Sequence, residues 1–232
     1  MHEPLLMLPG MMCDGRLFAP QIETFSGERL VTTGALVGAD SFEALAANIL
    51  HQAPPTFALA GLSMGGICAM EMVRQAPERI TRLALLDTNA LADPAKLAPV
   101  RDAQSKRALA GELVTVMRDE MKPNYLADGP NRKAILDLCM DMAEGLGPQV
   151  FAHQSQAIKA RLDQQETLRA VTVPTLILCG REDRLCPLER HTLMHGLMPH
   201  SRLVVVDGAG HLPTLEKPQE TNKALSAWLN QN

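Results

Sequence analysis

Apolar positions along the chain fall into two alternating patterns. Pro4-Leu5-Leu6-Met7-Leu8 is a short apolar run that ends at Pro9-Gly10, as a strand buried on both faces of a parallel sheet does. Further strands are predicted at 29–33, at 56–62 (Thr-Phe-Ala-Leu-Ala-Gly-Leu), at 80–87 (Ile-Thr-Arg-Leu-Ala-Leu-Leu-Asp), at 174–179 and at 202–206. Between them the spacing turns helical. Leu17, Phe18, Ile22 and Phe25 mark a helical stretch over 16–25. Glu43, Ala44, Leu45 and Ile49 follow Ser41, a capping residue, and Pro54-Pro55 stops that helix. Other helices are predicted over about 65–75, ended by Pro77, over 187–198, and over 214–229 with Pro218 in its first turn. This alternation gives an α/β fold with a small, mostly or entirely parallel sheet of about six strands and helices on both faces. Reactive groups in such a sheet gather at the carboxyl ends of the strands.

Residues 93–170 break the rhythm. No strand is predicted there. Ile135, Leu138, Cys139 and Met142 recur at helical spacing, punctuated elsewhere by Gly111, Pro123, Gly129-Pro130 and Gly145-Leu146-Gly147-Pro148. The stretch is too long for one crossover connection. It reads as a helical insertion lying over the strand ends, so the expected organisation is a core of 1–92 and 171–232 with a cap of 93–170.

Charge and composition remove several function classes. The 232 residues carry 22 Lys and Arg against 26 Asp and Glu, a net charge of −4, so no nucleic-acid partner is expected. Five Phe, one Tyr and one Trp offer no stacking platform for single strands. No apolar run reaches the roughly 18 residues that span a bilayer. Cys13, Cys68, Cys139, Cys179 and Cys186 are odd in number and form no C-x-x-C pair, which argues against a disulfide framework or a structural zinc. Reduced thiols, and a start (Met-His-Glu-Pro) without a basic segment or cleavage site, lead to the expectation of a cytoplasmic protein.

Gly61-Leu62-Ser63-Met64-Gly65 fits G-x-S-x-G and follows a predicted buried strand just where a helix opens. A serine on so sharp a turn has a strained backbone, and small residues two before and two after it avoid collision with the neighbouring chain. Its hydroxyl then projects above the sheet beside a helix N-terminus, which favours developing negative charge. A serine hydroxyl needs a base. His2 is terminal, His51 and His153 sit on predicted helices, and His191, His195 and His200 cluster around a polar helix and its end, so all six are expected at the surface. His211 differs: it stands in Asp207-Gly208-Ala209-Gly210-His211 just past a strand, where a glycine-rich loop frees the imidazole to reach across the strand ends. The acid that orients it is Asp183, in Cys179-Gly180-Arg181-Glu182-Asp183, with Asp87 at the end of another strand as the rival. The order Ser, Asp, His is that of α/β hydrolases. The oxyanion donors are expected to be the backbone N–H of Met64 and that of Met11, with Met12 as the fallback. Met11, Met12 and Met64 surround the nucleophile and suit an adaptable apolar cleft, which makes Met12 a substrate-binding candidate. Of the insertion's Arg101, Arg107, Arg118, Arg132 and Arg161, one can take a substrate carboxylate in bidentate fashion. Arg161, with Gln156 five residues before it, is that candidate; most of these arginines are expected on solvated helix faces.

Four segments together resemble α/β-hydrolase-fold serine hydrolases of the carboxylesterase and enol-lactonase kind. They are Leu8-Pro9-Gly10, Gly61-Leu62-Ser63-Met64-Gly65-Gly66, the run from Pro174 to Asp183, and Gly208-Ala209-Gly210-His211-Leu212-Pro213. They span the chain from the first strand to the last helix, and 93–170 resembles that family's helical lid. Pro9-Gly10 stands where many members carry His-Gly, and the antiparallel pair that often precedes the first strand is expected to be missing. Ser63 sets the chain apart from dehalogenases of this fold, which carry Asp there. The resemblance implies hydrolysis of a small-molecule carboxylic ester or lactone through an acyl-enzyme. Thioester or C–C bond hydrolysis uses the same groups, and a non-catalytic ligand receptor on the scaffold is the reading from another class. No metal or cofactor is expected: no metal cluster or P-loop is present, and Gly61-x-Ser63-x-Gly65-Gly66 does not match G-x-G-x-x-G.

Overall fold

The six predicted strands all form, and every pairing between them is parallel. They are β1 (Leu5–Leu8), β2 (Val31–Thr33), β3 (Phe57–Leu62), β4 (Ile80–Leu86), β5 (Thr175–Gly180) and β6 (Arg202–Val206), in the computed structural model, which describes residues 2–231. The sheet order is β2-β1-β3-β4-β5-β6. The chain therefore turns one way after β1 and the other way after β3, which makes the crevice between those two strands the switch point where ligands bind in such sheets. In register, Leu8 lies beside Gly61, Leu62 beside Leu86, Leu86 beside Leu178 and Gly180 beside Val206. The loops that leave these strands thus stand in one row along the upper rim.

Side chains alternate across the sheet as the strand period demands. Leu6, Leu8, Leu59, Leu83, Leu85 and Ile177 face one apolar cluster, while Leu5, Met7, Ala60, Ala84, Leu86 and Leu178 face the other. The first cluster is covered by α2 (Phe42–Gln52), α3 (Met64–Gln75) and α8 (Leu188–Leu197), through residues such as Leu45, Met70 and Met194. The second is covered by α1 (Ala19–Phe25) and α10 (Pro218–Leu229), through Phe25 and Trp228. Ser41 caps α2 as predicted, its side chain accepting from the Ala44 N–H. The predicted last helix is in fact two. α9 (Pro213–Glu216) ends at Lys217, which has φ −137° and ψ 62°, and α10 starts at Pro218. A proline both removes the N–H that would continue the helix and pushes its predecessor out of helical geometry.

Between β4 and β5 the described residues hold helix and turn but no strand. α4 (Ala98–Arg107) continues through wide turns, with Gly111 at φ 98°, into α5 (Leu113–Thr115). The long α6 (Arg132–Lys159) breaks at Gly147 (φ 83°) and Pro148, a glycine-proline break of the kind the sequence punctuation marks. This stretch has no core of its own. Val116, Met117 and Phe151 join the first apolar cluster, and Tyr125, Cys139 and Met142 join the second. α7 (Gln165–Arg169) packs against α3 and α8 and so belongs to the layer that covers the sheet. No helix among the described residues is long and apolar enough to cross a membrane.

Candidate active site

β3 ends at Leu62 and α3 begins at Met64, so a single residue makes the turn. That residue, Ser63, has φ 55° and ψ −117°, a backbone conformation costly to any residue but glycine. Its surroundings hold it there. The Ser63 N–H donates to the Leu86 carbonyl at 2.9 Å, and its own carbonyl accepts from Gly66 N at 2.9 Å and Thr88 Oγ1 at 2.7 Å. The flanking glycines are required by close approach. A Cβ on Gly65 would lie 2.0 Å from the Leu8 carbonyl oxygen, and one on Gly61 would lie 2.3 Å from that of Gly65.

The Ser63 hydroxyl donates to His211 Nε2 at 2.8 Å, and His211 Nδ1–H donates to Asp183 Oδ2 at 2.8 Å. Three groups 148 and 28 positions apart in the chain therefore form one hydrogen-bonded row. The other Asp183 oxygen accepts from the N–H groups of Leu185 (2.8 Å) and Cys186 (3.0 Å). Burial works against the Asp183 charge, but the adjoining His211 and these N–H groups outweigh it and hold the carboxyl below its usual range. The His211 loop is not the free glycine-rich loop that the sequence suggested. His211 N donates to the Tyr125 carbonyl at 2.7 Å, and the N–H groups on either side, of Gly210 and Leu212, donate to the Glu216 carboxylate at 2.9 Å each. Ala127 N donates to the same carboxylate at 2.9 Å.

Asp87, the rival acid, accepts from Gly180 N at 2.8 Å through Oδ1, while its Oδ2 is buried without a hydrogen-bond partner. It makes no hydrogen bond to His211 among the described residues. Burial, and then the negative charge of Asp183, push its carboxyl well above the usual range. His191 corrects an expectation. It is fully buried, not superficial, and accepts the Thr88 N–H at 3.1 Å through Nε2, which leaves Nδ1–H toward the Pro187 carbonyl. Burial brings its pKa down to about 4 and keeps the imidazole neutral.

Two backbone donors stand unpaired beside the hydroxyl. Neither the Met64 N–H, at the first position of α3, nor the Met11 N–H has a partner among the described residues. A Cβ on Gly10 would come within 3.5 Å of Ser63 Cβ, which places the Met11 loop against Ser63. Met12 is otherwise employed: its N–H donates to Gln154 Oε1 at 2.8 Å, its side chain is wholly buried, and it lies outside the cleft. It is therefore neither the fallback donor nor the substrate contact expected. The cleft over Ser63 and His211 has a volume of about 310 Å³, and Met11, Met64, Tyr125, Arg101 and Arg161 stand in its wall. Gln156, offered as a companion to Arg161, points to solvent.

A model described as the alpha/beta hydrolase family matches residues 8–224. The chain belongs to that family. It is 25% identical over 248 residues to a pimeloyl-[acyl-carrier protein] methyl ester esterase of Aliivibrio salmonicida, covering 97% of this chain and 91% of the other. To 3-oxoadipate enol-lactonase 2 of Acinetobacter baylyi it is 25% identical, over 76% of this chain and 65% of that one. Among solved structures, a thermophilic esterase from Thermogutta terrifontis superposes with a TM-score of 0.89 at 27% identity, covering 99% and 90% of the two chains. The enol-lactonase from Burkholderia xenovorans, at 18% identity and a TM-score of 0.88, shares the fold.

In this α/β hydrolase the residues that brace the row were the hardest to read from sequence. His191, Glu216 and Gln154 act on backbone groups distant in the chain, at Thr88, at Ala127 and at Met12. The one available signal was that His191 falls where the helical period turns a side chain inward, close to Met194.

Proposed function

We propose that the chain is a serine hydrolase that cleaves a carboxylic ester of a small molecule through an acyl-enzyme. The observation that carries this reading is the Ser63–His211–Asp183 row, with both hydrogen bonds at 2.8 Å, beside two unpaired backbone N–H groups. Ser63 Oγ attacks the carbonyl carbon as His211 Nε2 takes its proton. The N–H groups of Met64 and Met11 receive the oxyanion, and preorganised donors of this kind are worth roughly 3–4 kcal/mol each. His211 then delivers the proton to the leaving alcohol, and Asp183 stabilises the imidazolium and fixes its tautomer. Water, activated by the same imidazole, releases the acid. Residues 93–161 serve as the cap of this cleft, and α7 beyond them belongs to the layer over the sheet. The names of the relatives, a methyl ester esterase and an enol-lactonase, agree with an oxygen ester as the bond cleaved. The five cysteines are all buried and none forms a disulfide among the described residues, which suits a cytoplasmic setting.

Stoichiometric labelling of Ser63 by a fluorophosphonate, together with turnover of p-nitrophenyl butyrate, is the expected result. Ser63→Ala should abolish labelling and lower kcat on the order of 10⁵–10⁶-fold. A folded protein that neither labels nor turns over would instead be a ligand receptor.

A further inference from the structure

The wall of the cleft carries a charge imbalance that ester chemistry does not require. Asp93 follows β4, and its side chain is 3% exposed. Arg101 of α4 grips it in bidentate fashion, Nε to Oδ2 at 2.7 Å and Nη2 to Oδ1 at 2.9 Å. Arg161, just past α6 and with a side chain 8% exposed, sets Nη1 2.8 Å from the same Oδ1, and its Nε donates to the Leu91 carbonyl at 2.9 Å. Arg190 of α8 is half-buried, lines the same cleft, and has no acidic partner among the described residues. Three guanidinium groups thus face the space over Ser63 with one carboxylate, Asp93, among them. The other acidic groups near the site do not restore the balance. Asp183 is committed to His211, and Asp87 is buried beneath the rim.

The remaining arginines of the helical stretch lack this arrangement. Arg107 pairs with Glu112 and Glu120, Arg118 with Asp119, and Arg132 with the backbone carbonyls of Pro123, Leu126 and Ala127. None of the three lines the cleft. Arg161 is set apart because its Nη2 has no protein acceptor among the described residues, although the guanidinium is nearly sealed from bulk water. Asp93 is the one carboxylate that Arg161 and Arg101 share, so their two charges are only half offset, and the planar fork of arginine matches a further carboxylate. Between these cations and the nucleophile the wall is apolar, formed by Ile67, Leu97, Met121 and Ile158.

We infer that the cleft selects a half-ester of a short dicarboxylic acid. The ester carbonyl meets Ser63, the methylene stem crosses the apolar wall, and the free carboxylate meets Arg161 and Arg190. Asp93 and Arg101 are positioning residues that hold the Arg161 fork open toward the cleft. This inference rests on the hydrolase reading of Ser63, and the experiment keeps the two apart.

Monomethyl adipate and methyl hexanoate have the same chain length and differ in one terminal carboxylate. The expected kcat/KM for the former is higher by about ten- to a hundredfold, the range for hydrogen bonds to a charged group. Arg161→Gln and Arg190→Gln should each collapse that preference, and 0.5 M NaCl should shrink it. In Ser63→Ala, which cannot turn over, calorimetry should find adipate bound at least tenfold more tightly than hexanoate. If the wild type cleaves methyl hexanoate as well as monomethyl adipate and Ser63→Ala does not tell adipate from hexanoate, the anion subsite is overturned while the esterase stands. If Ser63→Ala binds adipate selectively but the wild type cleaves neither ester, the subsite stands and the esterase falls. If Arg161→Gln and Arg190→Gln lower both esters equally, the arginines are structural and the inference is overturned.

Discussion

At the scale of the residue, two carboxyl groups on neighbouring strand ends have been given opposite states. Asp183 accepts three hydrogen bonds and its carboxyl is held below the usual range, whereas Asp87 accepts one and its carboxyl is pushed well above it. An asparagine resembles a protonated aspartate in shape and can still accept the Gly180 N–H. Asp87→Asn should therefore keep kcat within about threefold of wild type, whereas Asp183→Asn should lower it about 10⁴-fold by forcing the wrong imidazole tautomer. Ester turnover of the two purified variants decides between the acids, and a crippled Asp87→Asn would reverse their roles. His191 yields a second expectation. Above pH 6.5 its imidazole is neutral folded or unfolded. Below that, the unfolded chain takes up a proton that the folded chain refuses until about pH 4, so stability falls across this window by about 3 kcal/mol. Urea unfolding at pH 7 and pH 5 should show a gap between the two that is smaller in His191→Gln. An unchanged gap would mean that His191 is accessible to protons. Ser63 and His211 were legible in the sequence because their motifs impose glycines at fixed offsets. The Asp183–Asp87 choice was not, since it depends on which carboxyl the fold leaves without N–H donors.

At the scale of the element, strands read well because β1, β3 and β4 from Leu83 onward are apolar on both faces, and the two faces resolve into separate clusters by simple alternation. Helices read well where proline or a capping serine marks an end. The last helix reads less well: the sequence puts Pro218 in the first turn of one helix, whereas Lys217 before it leaves helical geometry and a separate α9 precedes it. At the β3–α3 junction a single residue makes the turn. Gly61 and Gly65 oppose backbone atoms, not side chains, so no rotamer change can relieve a methyl group added at either. Gly65→Ala would drive a Cβ to 2.0 Å from the Leu8 carbonyl oxygen, and β1 would have to part from β3 to admit it. The expected cost is roughly 3 kcal/mol or more, as for severe overpacking, with loss of fluorophosphonate labelling in whatever remains folded. A denaturation midpoint unchanged by this substitution would show that the elbow is looser than its geometry implies.

At the scale of the whole molecule, the helical stretch between β4 and β5 is fastened to the rim that carries Ser63 and His211 at several points, which a lid merely resting over the strand ends would not be. Tyr125 takes the His211 N–H, Gln154 of α6 clamps the Met12 N–H and the Leu36 carbonyl, and Glu216 joins Gly210 and Leu212 to Ala127. Motion of this stretch as a unit would pull on the imidazole and on the Met11 loop together. Glu216 is the place to cut that coupling, because one carboxylate serves three N–H donors and a glutamine presents its own N–H groups to some of them. Glu216→Gln should loosen residues 125–127 and 208–212 together in hydrogen exchange and leave β1, β3 and α3 protected. It should lower kcat by about ten- to a hundredfold, the scale of a displacement near 1 Å at a reacting group. Faster exchange confined to 208–212 would show that the stretch is held by its packing alone. In that case its share in two apolar clusters, and not the Glu216 carboxylate, is what keeps the rim and the helices in one body.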